Sequence, residues 1–227
     1  LMTAETRRHM ESLAEDLDHG LTQQGVRLHH REGSAESGWI LLDFGDLVLH
    51  IFGPEERAFY KDIIETLKKH TGKQLKGMFG PNGSSSLNTP DLMAEAGMLY
   101  HCDWMHDDQP VPINVKSGKL ISVPYSLELN DVPTFRTHFE GEYFVKMCKA
   151  QFDQLYLEGE ESGRVMCIAL HPYIIGQPHR IKYLDEILSY IMSHDKVWQT
   201  TADEIAEYYI ANCYDETVAY AERLKTQ

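Results

Sequence analysis

The spacing of hydrophobic positions changes along the chain and predicts a distinct first part. Apolar residues recur at intervals of three and four between 6 and 24, which is typical of an amphipathic helix. Residues 39–43 and 47–52 are two β-rich runs on either side of Gly45, and this arrangement predicts a β-hairpin. Residues 54–70 then predict a second amphipathic helix with a proline in its first turn. The chain therefore begins with a helix, a hairpin and a helix.

From about residue 62 onward, short apolar runs alternate with amphipathic segments. Strands are predicted at 76–79, 99–104, 120–125, 165–170 and 196–200, and helices at 89–97, 140–157, 181–191 and from 201 onward. The polar segment 29–38 is predicted as a loop, and a polar stretch at 130–133 follows the strand predicted at 120–125. Alternation of this kind indicates an α/β fold with a parallel sheet covered by helices, either open or forming an incomplete (β/α) barrel. The helix and hairpin of the first part precede it.

The run at 165–170 ends in a histidine that is a candidate for chemistry. A short, continuously apolar run predicts a strand that is buried on both faces. Pro172 cannot donate to a central ladder, so the strand should end at His171. Functional side chains of α/β folds lie at the carboxyl ends of such strands. His171 is therefore a candidate catalytic residue, and the alternative is a histidine that only caps the following loop.

Composition limits the classes of partner. The chain has 227 residues, 42% of them hydrophobic and 10% aromatic, which fits one large α/β domain or two small ones. Its formal net charge of −14 argues against nucleic acid and anionic membranes as partners, whereas a basic protein is compatible. No apolar run approaches the roughly 20 residues that span a bilayer. The four cysteines form no CxxC pair, so reduced thiols and a cytoplasmic location are expected.

Residues of about 6–60 resemble the bacterial ribosomal silencing factor. The resemblance is carried by SGWILLDFGDLVLHIF at 37–52 and by PEERAFY at 54–60. It implies a small α/β segment that docks on a protein of the large ribosomal subunit and blocks subunit joining. Trp39 and Leu41 would then be candidate partner-binding residues, although aromatic and apolar residues in strands often only pack in the sheet. The family's opening strand and helix are not matched, so we expect an exposed sheet edge unless another segment covers it. In the second part an incomplete barrel leaves strands unpaired, so we also expect self-association to a homo-oligomer or replacement pairing by the hairpin.

Residues of about 62–227 resemble the carboxyl-terminal half of the polysaccharide deacetylase family. The resemblance is closest to the branch that includes deacetylase-like allantoinases and peptidoglycan deacetylases. The matching pieces are Gly80 and Pro81 with 88–92 and 94–97, Asp103 and Trp104 with 107–110, 123–125 with Asn130 and Asp131, 170–172 with 176–178 and Arg180, and 194–198. The resemblance implies an irregular (β/α) barrel that hydrolyses amide bonds, such as the N-acetyl groups of amino sugars.

The same resemblance implies roles for individual residues. His171 would be the general acid, and Asp103 would orient its ring. The implied substrate-binding residues are Trp104, Asp107, Asp108, Tyr125, Asn130, Asp131 and Arg180. The family often uses zinc held by an aspartate and an HxxxH pair, but these lie in its first half, which is not matched here. His101 and His106 follow no common ligand spacing, so we expect no metal and no cofactor.

These patterns lead to three hypotheses. The chain is predicted to comprise a segment 1–60 like the silencing factor and a deacetylase-like half barrel at 61–227. The first hypothesis is a hydrolase of carbon–nitrogen bonds other than peptide bonds, weak or inactive, that acts on an N-acetylated sugar or a ureide-like molecule. The second is a binding protein that docks on a basic ribosomal protein. The third is a chimera of the two families, of natural or engineered origin.

Overall fold

The computed structural model of the chain describes residues 2–4, 6–45, 47–53, 56–80, 83, 85–137 and 140–225. The chain packs as two compact units. Unit 1 comprises Leu1–Lys76, Gly80–Met98 and Val115–Gly118, and unit 2 comprises Gly77–Phe79, Leu99–Asn114 and Lys119–Gln227. The units are defined by packing, whereas the predicted boundary at residue 60 separates two families, so that boundary stays a prediction.

Among its described residues, unit 1 contains one mixed sheet and three helices. Its elements are β1 (Met2–Thr3), α1 (Arg7–Gln23), β2 (His30–Ser34), β3 (Trp39–Asp43), β4 (Val48–Phe52), α2 (Glu56–Thr71) and α3 (Thr89–Glu95). The strand order is β1-β4-β3-β2, with β1 parallel to β4 and the other pairs antiparallel. The predicted first helix and the hairpin are thereby confirmed.

The first helix is fixed by its cap and by the sheet beneath it. The Thr6 hydroxyl accepts a hydrogen bond from the backbone N–H of His9 at 3.1 Å, so one of the unsatisfied donors at the helix start is paired. The inward face of α1 is buried with one face of the sheet, in a core that includes Met10, Ala14, Ile40, Leu42 and Ile51. The helical period of 3.6 residues in α1 and the strand period of two in the sheet therefore direct apolar side chains into the same core.

One expectation about this sheet is wrong. The segment 29–38 was predicted to be a loop, but His30–Ser34 forms β2, which pairs antiparallel with β3. Because β2 is a largely exposed edge strand, it needs no apolar alternation, and the pattern gave no strand signal. The hairpin edge is covered by another segment, which is one of the two expected outcomes, since Met2 lies opposite Ile51 in the parallel pair of β1 and β4. Pro54, the proline predicted in the first turn of the second helix, lies outside the described residues.

Unit 2 contains a second sheet and six helices among its described residues. Its elements are β5 (Gly77–Met78), β6 (Tyr100–His101), β7 (Val111–Ile113), β8 (Leu120–Ser122), α4 (Asp131–Thr137), α5 (Gly141–Glu158), α6 (Pro172–Ile175), α7 (Ile181–Met192), α8 (Ala202–Asn212) and α9 (Tyr214–Lys225). The order is β5-β6-β8-β7, in which the first three strands are parallel and β7 is antiparallel. Over the described ranges the sheet is open and no barrel closes, which confirms the α/β class with an open parallel sheet.

The core of unit 2 lies mainly where α4, α5 and α7 meet. Phe144 and Cys148 of α5, Ile187 of α7 and Phe135 of α4 are buried in one cluster. A second cluster joins Ile121 of β8 to Ala206 of α8, among others. Helix α8 begins with a capping box, in which the Thr201 hydroxyl accepts a hydrogen bond from the backbone N–H of Glu204 at 3.3 Å.

Two predicted strands of unit 2 do not form. Among the described residues of the run 165–170, only Ala169 forms a β-bridge, a parallel one to Asn130. The rest of the run has no strand beside it in the described part of the chain and stays irregular. Residues 197–200 also form no ladder, and Lys196 turns the backbone into the left-handed region with φ of 61°. The polar stretch at 130–133 leads into helix α4, which begins at Asp131 and has Pro133 in its first turn, where a missing N–H costs little.

Candidate functional site

A backbone contact places His171 beside Asp131, although 40 residues separate them. Ala169 donates its N–H to the carbonyl of Leu129 at 2.8 Å, and Asp131 donates its N–H to the carbonyl of Ala169 at 3.1 Å. This short parallel pairing aligns the two segments just before each begins a helix. His171 directly precedes α6 and Asp131 is the first residue of α4, so both residues lie at the start of a helix.

The carboxylate of Asp131 holds His171 through both of its oxygens. Oδ2 accepts from the backbone N–H of His171 at 2.8 Å, and Oδ1 lies 2.7 Å from ring Nδ1. Asp131 is fully buried, whereas 35% of the His171 side-chain surface is exposed. An ionised carboxylate only accepts hydrogen bonds, so Nδ1 carries a proton and Nε2 is the ring nitrogen left for chemistry. The pair forms a carboxylate–histidine dyad with a partly exposed ring.

Asp103 is the residue expected to orient the ring of His171, but a different carboxylate binds that ring. Asp103 Oδ2 lies 3.7 Å from Nδ1 of His101, and both side chains are buried. The carboxylate on His171 belongs to Asp131, which had been assigned to substrate binding. Because Asp131 is fully buried, its carboxylate acts on His171 and not on a molecule in solvent. A catalytic role of Asp103 stays a prediction.

The neighbourhood of His101 contains the side-chain types of a nucleophilic triad but not its geometry. His101 and Ser122 face each other across β6 and β8 and are fully buried. Neither ring nitrogen of His101 nor the hydroxyl of Ser122 has a hydrogen-bond partner among the described residues. A nucleophilic serine needs a hydrogen bond to its base and access to substrate, so this cluster is not such a site.

Aromatic side chains follow the carboxyl ends of three neighbouring parallel strands. Trp104, beyond β6, is exposed and packs edge-on against His101, with 4.7 Å between ring centroids. Tyr125, beyond β8, accepts a hydrogen bond from Asn130 Nδ2 at 3.3 Å, and burial raises the pKa of its hydroxyl. Phe79, beyond β5, stacks on Tyr125 at 4.3 Å. Phe79 was not among the predicted site residues, although it is the last residue of the strand predicted at 76–79.

The remaining residues assigned to substrate binding have partners within unit 2. Asp107 lies 3.9 Å from a guanidinium nitrogen of Arg164. Burial, and then the neighbouring Asp107, raise the pKa of Asp108. The Arg180 guanidinium lies over the ring of Phe135 at 4.3 Å, so much of this side chain serves packing. Substrate contacts by these three residues stay predictions.

Three of the four cysteines are poor candidates for a nucleophile. All four are free thiols, as the sequence analysis predicted. Burial raises the pKa of Cys102 and of Cys148 to about 12, and it also raises the pKa of Cys167. Since the thiolate is the reactive form, these three thiols are protonated and inert near neutral pH.

In unit 1 the hairpin presents two different faces. Ile40 and Leu42 are fully buried, whereas Trp39 and Leu41 are only half-buried on the opposite face. Trp39 Nε1 donates to Nδ1 of His50 at 3.1 Å, and the two rings stack at 5.9 Å. Both predicted partner-binding residues therefore lie on the face that points away from the buried core.

Fold and site together define an α/β protein with a mixed sheet in unit 1 and an open sheet with a carboxylate–histidine dyad in unit 2. Residues 1–80 match the sequence model of the family described as "Ribosomal silencing factor during starvation". The chain is 33% identical over 55 residues to the ribosomal silencing factor RsfS of Halalkalibacterium halodurans, a match that covers 24% of this chain and 47% of that protein. The predicted resemblance is confirmed and reaches further than residue 60.

The rest of the chain is similar to polysaccharide deacetylases. It is 31% identical over 177 residues to a putative polysaccharide deacetylase of Schizosaccharomyces pombe, covering 69% of this chain and 54% of that protein. The crystal structure of the Puue allantoinase superposes with a TM-score of 0.63 at 34% identity, covering 70% of this chain and 54% of that one. The chain thus spans about half the length of these relatives. Two such matches in one chain are consistent with a chimera of the two families.

Two chemical features of the described residues bear on function. No group of three or more histidine, cysteine, aspartate or glutamate side chains is placed to hold a metal ion in the described ranges. His101 and Asp103 supply two donors at most, so the residues in the described ranges do not fit a resident zinc ion. Among the helices that the structure describes, none has the length and apolar character needed to cross a bilayer.

Proposed function

We propose that unit 2 is a hydrolase of carbon–nitrogen bonds other than peptide bonds, in which His171 is the general acid. The supporting observation is the dyad, because a buried carboxylate fixes both the backbone and the ring of a partly exposed histidine. The similarity to polysaccharide deacetylases and to an allantoinase supports an amide or ureide bond as the target. The substrate is an N-acetylated sugar or a related amide.

The dyad performs one part of amide hydrolysis. When water adds to the carbonyl carbon and the C–N bond breaks, the departing nitrogen needs a proton. Nε2 of the His171 imidazolium donates that proton, and the Asp131 carboxylate stabilises the imidazolium before the transfer. The neutral ring then takes a proton back from solvent, because part of its surface is exposed. These residues do not activate the attacking water, so we expect slow turnover.

The proposal is tested by incubating the protein with N-acetylated chitooligosaccharides and with allantoin, with and without added zinc. We expect slow product formation that falls by about 100-fold in His171→Ala, since general acids typically contribute 10²–10⁴-fold. His179→Ala is the matched control, because this histidine is exposed in the next loop. Absence of product under all conditions, or equal rates in His171→Ala and the unmutated chain, would refute the proposal.

A second function is favoured by unit 1. We propose that the half-buried face of the hairpin, with Trp39 and Leu41, docks on a basic ribosomal protein of the large subunit. The net charge of −14 favours a basic partner through electrostatic steering.

Removal of the hairpin's apolar contacts tests this second proposal. Trp39→Ala should weaken co-sedimentation with purified large subunits by about 10-fold or more, the effect of truncating a central aromatic contact. Leu87→Ala, a change at a fully exposed leucine of the same unit, should bind like the unmutated chain. If the unmutated chain does not sediment with large subunits, or if Trp39→Ala sediments equally well, the docking proposal is wrong.

A further inference from the structure

We propose that His50 positions Trp39 for docking on the large ribosomal subunit, and that acidification weakens this docking because it protonates His50. The inference rests on the second proposed function, the docking of the hairpin on a basic ribosomal protein, and adds to it a positioning residue and a dependence on pH. The contact between the two side chains can be measured in the free chain, apart from any docking.

Strand register places His50 on the face proposed for docking. Leu41 of β3 lies directly opposite His50 of β4, and Trp39 lies two residues before Leu41. Because successive side chains of a strand point to opposite faces, these three residues share one face of the sheet. All three are half-buried, whereas Ile40 and Leu42 on the other face are fully buried. A change in the charge of His50 is therefore a change in the docking face itself.

The hydrogen bond between the two rings requires a neutral histidine. The indole nitrogen of Trp39 can only donate, and it donates to Nδ1 of His50 at 3.1 Å. Nδ1 must therefore carry a lone pair, so the ring is neutral and its proton is on Nε2. A protonated imidazole has an N–H at both nitrogens and cannot accept this bond. The observed position of Trp39 thus depends on the neutral form of His50.

A protonated His50 has no other favourable contact with the indole in this arrangement. The ring centroids are 5.9 Å apart with planes inclined by 27°, while the two nitrogens are only 3.1 Å apart. The rings are therefore offset and meet at their nitrogen-bearing edges. A cation is attracted to the face of an aromatic ring, whereas the edge of the ring is positive. Protonation thus replaces the hydrogen bond by repulsion between two N–H groups and releases Trp39 from its position.

The other charged and titratable groups that strand register places on this face have partners of their own. These groups are His30 and Glu32 of β2 and Asp43 of β3. His30 and Glu32 approach each other to 3.7 Å, and Asp43 accepts a hydrogen bond from the backbone N–H of Gly45 at 2.7 Å. On the β1 side, the position next to His50 lies outside the described residues. Among the described residues of this face, His50 is the titratable group that binds Trp39.

The direction of the pH effect follows from the surroundings of His50. Burial lowers the pKa of His50 below its ordinary value of 6.5, and the charge of the chain's amino group lowers it further. The ring is therefore neutral near neutral pH, and it gains its proton as the pH falls through that lowered pKa. A positive charge on this face also repels a basic partner. Release of Trp39 and the new repulsion act in the same direction, so docking is strongest when His50 is neutral.

The test is co-sedimentation of the full chain with purified large subunits at about pH 7.5 and at about pH 5, where the Kd should be about threefold to tenfold higher, since one coupled proton changes Kd by at most about tenfold per pH unit. In His50→Gln the side-chain carbonyl can accept from the indole at either pH, so the Kd should be the same at both. His19→Gln is the matched control, because this exposed histidine lies in α1, on the other side of the sheet. It should keep the pH dependence of the unmutated chain.

Nitrogen NMR of the free chain measures the contact between the two rings directly. The indole N–H signal of Trp39 should shift with the same midpoint as the ring of His50, and it should stay constant in His50→Gln. A Trp39 signal that does not follow the protonation of His50 overturns the positioning role. Docking with an equal Kd at both pH values, or with the same pH dependence in His50→Gln, overturns the inference and leaves docking standing. Absence of docking at both pH values refutes the docking proposal, and this inference with it.

Discussion

Asp131→Ala should lower the free energy of unfolding by about 2–4 kcal/mol, because it removes two hydrogen bonds to a buried charged group and leaves a backbone donor unpaired. The two bonds reach His171 at its backbone N–H, 2.8 Å, and at Nδ1, 2.7 Å. Part of this loss of stability is offset, since the buried carboxylate no longer has to be desolvated and the partly exposed ring of His171 can bind water. Urea unfolding followed by circular dichroism measures the difference.

Asp131→Asn separates the structural part of this effect from the chemical part. An asparagine can still accept from the His171 N–H through Oδ1, but it offers an N–H to the ring where the carboxylate offered an acceptor. The proton of the neutral ring should therefore move from Nδ1 to Nε2, and the imidazolium should lose its stabilising charge. We expect most of the stability to be kept, whereas the hydrolytic rate falls as far as in His171→Ala.

Nitrogen NMR of labelled histidine distinguishes the two tautomers directly. An Asp131→Ala variant that is less than about 0.5 kcal/mol destabilised would lie in the range of ordinary surface substitutions and would contradict the structural role of the pair. An unchanged tautomer and rate in Asp131→Asn would contradict its chemical role.

Local patterns were sufficient to predict the first helix and the hairpin. The cap at Thr6 and the alternation of Ile40 and Leu42 with their half-buried neighbours depend only on residues close in sequence. Edge strand β2 was missed because exposure removes the alternation on which such predictions depend. The predicted strand at 165–170 failed for the opposite reason. The apolar pattern of 165–170 is strong, but among its described residues only Ala169 forms a β-bridge to another segment.

The candidate site shows the same division between local and distant information. His171 was predicted from a local break after an apolar run and from the deacetylase resemblance. Its carboxylate partner was assigned wrongly, because the bridge between Asn130 and Ala169 that brings Asp131 to His171 joins distant segments. A local signal did exist: an aspartate followed within two residues by a proline is typical of a helix start.

The largest loss of stability is expected for Phe144→Ala, at about 3–5 kcal/mol, the usual cost of truncating a fully buried phenylalanine. The ring of Phe144 is completely buried and lies 5.8 Å from that of Phe135 in α4. Phe135 in turn carries the Arg180 guanidinium at 4.3 Å. A cavity at Phe144 therefore removes support from α4, the helix whose first residue is Asp131.

Two further variants establish that the cavity is the cause. Phe144→Leu keeps most of the buried volume and should cost only about 1 kcal/mol, whereas Leu157→Ala, at an exposed position of the same helix, should stay within about 0.5 kcal/mol. Urea unfolding of the three variants gives the comparison. Because typical domains are stable by only about 5–15 kcal/mol, Phe144→Ala should also loosen α4 and weaken the hold of Asp131 on His171. Equal losses in Phe144→Ala and Phe144→Leu would show that Phe144 does not fill the core beneath α4, and the dyad would then have to be supported from elsewhere in unit 2.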